Sequence, residues 1–152
     1  MNRIEVRAVK RQLESYRDYL ALAKQQEAES ARLQKLYERK AGAKCIPIDR
    51  NDSGQNTGAK GDVTSQYLEI FSRQKEADEM ACEYRKKAQR CFEFIQHLDS
   101  EKAEWVRAAY LDGRSYQDIA RDAGFSKQAV NQGILKCLED TPAKLASAAG
   151  LL

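Results

Sequence analysis

Hydrogen-bonding side chains are concentrated just after Ser126, at Lys127, Gln128, Asn131 and Gln132. If this stretch is helical, residues spaced by one, three and four positions lie on one side of it. Amides can pair bidentately with adenine, and an ammonium group can donate to guanine. Ser126 and the N–H groups at the start of the helix suit a phosphate, and Lys136 is a further phosphate candidate. The pattern therefore indicates a surface that reads base edges in nucleic acid.

Local signals predict the elements that position this surface. Ser115 is a candidate N-cap, with Asp118 at the capping-box position, for a helix that buries Ile119, Ala120 and Ala123. Gly124 suits a left-handed turn, and Ser126 caps a second helix whose inward residues are Val130, Ile134 and Leu138. We expect Phe125, between the two helices, to point into the core. Two helices joined in this way are typical of a helix-turn-helix whose second helix enters the major groove.

The same spacing also fits a plain three-helix packing unit. The exposed side of the second helix favours DNA binding, because it combines amides with Lys127 and carries no acid before Glu139. Gly133 is a weak point inside that helix, since glycine disfavours helical backbone.

Two segments suggest a family: Tyr110 to Ala120 (YLDGRSYQDIA) and Gly124 to Val130 (GFSKQAV). They resemble the region-four helix-turn-helix of bacterial sigma factors, over about residues 100 to 140. With long helices ahead of it, the chain also resembles small phage and prophage proteins related to ArpU-type transcriptional regulators. The resemblance implies promoter DNA as ligand. The chain departs from the sigma pattern because the second helix lacks the common arginines.

Two long helices are predicted upstream. From about Arg3 to Lys40, apolar residues alternate at spacings of three and four, with a stutter expected near Glu27 and Ser30; the same alternation runs from about Ser65 to Leu98. Helices of similar length joined by one loop can pack as an antiparallel hairpin. We therefore predict an all-α protein, in which a coiled-coil-like hairpin precedes a small helix-turn-helix domain.

Turn-forming residues interrupt the pattern between the helices. The predicted organisation is a hairpin over 1–98 with a flexible loop at 41–64, a helix-turn-helix domain over 99–140, and a tail over 141–152. The tail is either a short helix with Pro142 in its first turn or frayed, and docking on its own domain is the simpler expectation.

Composition narrows the function classes. The 152 residues are 32% charged, with mean hydropathy −0.72 and no apolar stretch long enough for a membrane span, so we expect a cytoplasmic protein without a membrane partner. Four scattered cysteines and one histidine, His97, lack metal-ligand spacing, and we expect free thiols. No nucleophile constellation or phosphate loop is present. We therefore expect no enzyme, cofactor, metal or small-molecule substrate.

Charge is unevenly distributed along the chain. Residues 1–40 hold 10 basic and 6 acidic side chains, whereas 99–140 hold 6 basic and 8 acidic. A DNA binder gains much of its affinity by neutralising phosphates, so we expect dimerisation or RNA polymerase to assist. The predicted function is a DNA-binding transcriptional regulator, for which the resemblance implies a phage or prophage origin. The alternatives are a small terminase-like DNA-packaging protein and a helical interaction protein that does not bind DNA.

Overall fold

The computed structural model describes residues 1–43 and 57–152, with the side chains of 1–41 and 64–152. The described residues form helices and no strands, so the predicted all-α class is confirmed. The helices are α1 (Arg3–Glu14), α2 (Tyr16–Ala43), α3 (Thr57–Gln96), α4 (Ala103–Tyr110), α5 (Tyr116–Ala123), α6 (Lys127–Asp140) and α7 (Ala143–Ala148).

The first long helix is interrupted at Ser15, where one uninterrupted helix was expected. The Ser15 hydroxyl donates to the carbonyl of Arg11 at 3.0 Å, and the Ser15 N–H is shared between the carbonyls of Arg11 and Gln12. A serine side chain that bonds back to the preceding turn competes with the regular helical hydrogen bond and bends the helix. Helix α2 then continues without a break past Glu27 and Ser30.

The second long helix begins earlier than predicted. It starts at Thr57 rather than Ser65, so Gly58 and Gly61 lie within α3 despite their low helix propensity. The ends of the predicted loop at 41–64 are helical: 41–43 belong to α2 and 57–64 to α3. Residues 44–56 lie outside the described residues, and so does the predicted flexibility of that part of the loop.

The chain forms two compact units. The first, here called the terminal unit, comprises Met1–Ala21 and Tyr84–Leu152, and the second, the middle unit, comprises Leu22–Glu83. The predicted boundary between residues 98 and 99 therefore falls inside the terminal unit.

A single hydrophobic core holds the terminal unit together. Val9 and Leu13 of α1 and Ile95 of α3 belong to the same buried cluster as Val106 of α4 and Ile134 of α6. Helices of eight residues, such as α4 and α5, cannot enclose a sizeable core by themselves. The segment that carries the candidate site is thus folded against α1 and the end of α3.

The C-terminal tail forms the short helix α7 and docks on this unit, and of the two alternatives the docked tail was the simpler expectation. Ala146 and Leu151 are buried in the core, and α7 borders a small groove with Phe94 and His97. The Met1 amine donates to the carbonyls of Glu139 and Thr141, at 2.6 and 3.0 Å. The Met1 amine is therefore held at the C-terminal end of α6, and α7 lies against the end of α3.

Within the middle unit, α2 and α3 pack side by side in opposite directions. The Gln74 amide donates to the Gln34 side chain at 3.0 Å, and Lys40 donates to Gln66 at 2.8 Å. The ring of Tyr37 packs edge-on against that of Tyr67. Small buried residues of α3, Ala77 and Ala81, allow close helix packing. None of the described helices has an apolar stretch long enough to cross a membrane.

Candidate functional site

Helix α5 has the N-terminal cap that the sequence predicts. Ser115 is extended, at φ −68° and ψ 151°, and its hydroxyl oxygen accepts the N–H of Asp118 at 3.1 Å. The Asp118 carboxylate accepts the Ser115 hydroxyl at 2.7 Å and Arg121 at 2.8 Å. These hydrogen bonds and the nearby arginines lower the pKa of Asp118, the Ser115 hydroxyl first among them. Asp118 is therefore held as a carboxylate, and Arg121 pairs with it.

The turn between α5 and α6 depends on Gly124. Its φ of +73° lies in the left-handed region, and a Cβ there would meet no other atom within 4 Å. Glycine is thus favoured by the backbone conformation and not by crowding. The N–H of Phe125 donates to the Ala120 carbonyl at 2.9 Å, which closes the end of α5.

Ser126 caps the next helix, as predicted. It is extended, at φ −80° and ψ 155°, and its hydroxyl oxygen accepts the N–H of Ala129 at 3.1 Å. The first turn of α6 contains no acidic residue. Its positive helix-dipole end and N–H groups therefore face solvent without a competing carboxylate on that turn.

Helix α6 has a buried side and an exposed side. The buried side consists of Val130, Gly133, Ile134, Cys137 and Leu138. Of the predicted contact residues, Asn131 is half-buried and the others are exposed: Ser126, Lys127, Gln128, Gln132 and Lys136.

The exposed residues form a continuous row. Gln128, Gln132 and Lys136 follow one another at intervals of four, and side chains at that spacing are neighbours on a helix surface. Lys127 and Asn131 form a second, parallel pair. The row carries amide and ammonium groups over about three turns, and Glu139 is the first carboxylate on α6. Such a surface can donate and accept hydrogen bonds along a groove.

Phe125 does not point into the core, and this prediction was wrong. Its side chain is 57% exposed, and its ring meets Trp105 edge-on with centroids 5.3 Å apart. The indole of Trp105 covers Gly133 on the buried side of α6, and the Phe125 ring lies at the surface against that indole.

Trp105 is the residue near the site that sequence reasoning missed. A Cβ on Gly133 would stand 2.6 Å from the indole Cζ3 atom, so the ring packs directly on the α6 backbone. Lys102 places its ammonium 5.7 Å from the Trp105 ring centroid. The sequence signal for this contact was Gly133 itself, because an isolated glycine inside a helix often has a packing reason.

Two further arginines near the site are occupied by acids of α5. Arg114 pairs with Asp122 and Arg121 pairs with Asp118. The hydrogen bond with Asp122 raises the pKa of Arg114. Arg114 and Arg121 are therefore paired with carboxylates of the terminal unit.

None of the described cysteines belongs to the exposed row on α6. Cys82, Cys91 and Cys137 are free thiols, while Cys45 lies outside the described residues. In the described part of the chain, no group of histidine, cysteine and acidic side chains is arranged to hold a metal ion.

The chain matches no known protein family, no curated protein and no solved structure. The resemblance to sigma region four, with the phage-type regulators it suggested, therefore stays a prediction based on residues 110–130.

Proposed function

We propose that this chain binds double-stranded DNA with α6 in the major groove and acts as a transcriptional regulator. The observation that carries the proposal is the exposed row on α6, which presents Gln128, Gln132 and Lys136 beside a helix start free of acids. The opposite side of the same helix is buried, so only this side can meet a partner.

The chemistry of the row suits base recognition. Each glutamine offers an amide that donates and accepts, which is the arrangement needed for the N6 and N7 atoms of adenine. Lys127 can donate to the acceptors of guanine, and Ser126 with the first N–H groups of α6 can hold a phosphate. Lys136 lies two turns further on, where it can reach the DNA backbone. Asn131 is half-buried, and its amide contributes from the edge of the row.

The regulatory role rests on the sigma-like segments rather than on the geometry. Regulators of this kind bind either as dimers or together with RNA polymerase, and both partners remain proposals. A dimer would select a palindromic site with half-sites one helical turn or a multiple apart.

Selection from a pool of random duplexes at low salt tests the proposal. We expect enrichment of a defined sequence, and Gln128→Ala should relax preference at one position by roughly 1 to 3 kcal/mol. Gln96→Ala is the matched control, because Gln96 is an exposed amide at the end of α3. It should leave the preference unchanged.

Two results would contradict the proposal. If no duplex is enriched and no duplex is bound at low salt, the chain is an interaction protein that does not bind DNA. If Gln128→Ala weakens binding equally on every sequence, the amide does not read bases. A ring-shaped assembly in native mass measurements would instead favour the DNA-packaging alternative.

A further inference from the structure

Binding DNA requires cations, and the segment that carries α4 to α6 has few free ones. Residues 99–140 hold 6 basic and 8 acidic side chains. Arg114 and Arg121 are already paired with aspartates, and Lys102 lies over an indole ring. Because phosphate neutralisation supplies most non-specific affinity, the charge must come from another part of the molecule.

Helix α1 carries a stripe of basic residues. Arg3, Arg7, Lys10 and Arg11 follow the spacing i, i+4, i+7 and i+8, which places them together on one flank of a helix. The buried residues of α1 are Val6, Val9 and Leu13, so the stripe lies beside the core-facing side. The three arginines are exposed, while Lys10 is half-buried and pairs with Glu14 at 3.8 Å.

Across the described residues, the guanidinium groups of Arg3, Arg7 and Arg11 make no salt bridge or hydrogen bond. Arginines elsewhere do find carboxylates: Arg32 pairs with Glu29 at 2.6 Å. Within the stripe, Arg3, Arg7 and Arg11 are therefore uncompensated, whereas Lys10 is paired with Glu14.

Helix α1 is attached firmly to the proposed reading helix. Val9 and Leu13 share a buried cluster with Val130 and Ile134 of α6, inside one compact unit. The Met1 amine, two residues before Arg3, donates a hydrogen bond to the carbonyl of Glu139 at the end of α6. The stripe and α6 thus belong to one packed unit.

We infer that Arg3, Arg7 and Arg11 form a second contact surface for the same duplex and bind its phosphates. The inference rests on the proposed DNA binding by α6. Guanidinium groups bind phosphate oxygens with two parallel hydrogen bonds and remain charged at any physiological pH. In this arrangement α6 selects the sequence, and α1 supplies affinity that is independent of sequence.

The test measures the dissociation constant by fluorescence anisotropy at a series of salt concentrations, with a duplex selected by the wild-type chain. The variant R3Q/R7Q/R11Q should lower the slope of log K against log salt by roughly 2 to 3, since each lost phosphate contact removes about 0.9. It should weaken binding by the same factor on selected and unselected duplexes. The variant R3K/R7K/R11K keeps the charges and should keep most of the slope.

The matched control is K24Q/K35Q/R39Q, which removes three exposed cations from α2 in the middle unit. An equal loss of slope in this control would overturn the inference, because net charge alone would then explain the effect. An unchanged slope in R3Q/R7Q/R11Q would overturn it as well. Should the triple variant fail to fold in circular dichroism, Arg7→Gln alone should lower the slope by about 1.

Failure of the inference differs from failure of the proposed function. If the wild-type chain selects a sequence but its slope does not depend on α1, only the role of the arginines is lost. If the wild-type chain selects no duplex, the proposed function and the inference fall together. Binding to single-stranded RNA or an acidic peptide in place of the duplex would also overturn the inference.

Discussion

The indole ring of Trp105 lies against the backbone of Gly133, with its Cζ3 atom 2.6 Å from where a Cβ would stand. Lys102 approaches the same position, its Cδ atom at 3.0 Å. Helix α4 therefore packs on α6 at a point where α6 has no side chain. Gly133 lowers the helix propensity of α6, but its lack of a side chain permits the contact with α4 that positions α6.

Replacing Gly133 by alanine should destabilise the fold. Overpacking against the indole costs about 1 to 3 kcal/mol, and the better helix propensity of alanine returns about 1 kcal/mol. A net loss of up to about 2 kcal/mol is expected in the free energy of chemical unfolding. In a chain that already carries Trp105→Ala, Gly133→Ala should leave the free energy of unfolding unchanged or raise it. A loss of equal size in both backgrounds would show that the ring is not the cause.

Truncating Phe125 should have only a small effect on stability. Its ring is 57% exposed and makes one edge-on contact with Trp105, a pair worth about 0.5 to 1.5 kcal/mol. A buried phenylalanine would lose about 3 to 5 kcal/mol on replacement by alanine. Chemical unfolding of Phe125→Ala distinguishes the two values, and Phe94→Ala is the buried comparison. A loss near that of Phe94→Ala would place Phe125 in the core.

Substitutions at Ser126 should separate stability from DNA binding. Ser126→Ala removes the N-cap and should cost about 1 kcal/mol in unfolding. Ser126→Asp keeps a capping oxygen and suits the helix dipole, so stability should be retained. Its carboxylate repels phosphates, however, and duplex affinity measured by anisotropy should fall.

Ser126→Asn is the neutral control, since it caps the helix without a charge. It should bind DNA more tightly than Ser126→Asp at equal stability. Equal affinity of the two variants would mean that the start of α6 does not approach the DNA backbone.

The buried thiol of Cys91 should make stability depend on alkaline pH. Burial raises the pKa of Cys91 from 9.0 to about 11, and its Sγ donates to the Gln12 carbonyl at 3.4 Å. The unfolded chain therefore releases this proton at a lower pH than the folded chain. The contribution of Cys91 is complete below pH 9 and is lost as the pH rises toward about 11.

Unfolding free energies between pH 8 and 10.5 would measure this dependence. The slope should be shallower in Cys91→Ala than in the wild-type chain. Cys82→Ala is the control, because Cys82 is exposed, and it should keep the wild-type slope. A steep slope that survives in Cys91→Ala would assign the alkaline loss to other groups.

Features that depend on a few neighbouring residues could be predicted from the sequence. Ser115, Gly124 and Ser126 have the predicted cap and turn roles, since each acts on backbone groups within four residues. The all-α class follows from the periodicity of the apolar residues in the same way. The exposure of Gln128 and Gln132 also follows from helical spacing, although what they bind is a proposal.

Features that depend on distant contacts were decided only by the tertiary structure. The sequence marks Gly133 as a weak point, but the reason for it is Trp105, twenty-eight residues earlier. Phe125 lies outward, edge-on against the same indole, and that contact is with a residue twenty positions earlier. Spacing alone could predict the basic stripe on α1, whereas its fixed relation to α6 comes from the shared core. Caps and periodicity are local properties of the backbone, while packing depends on which distant side chains already occupy the space.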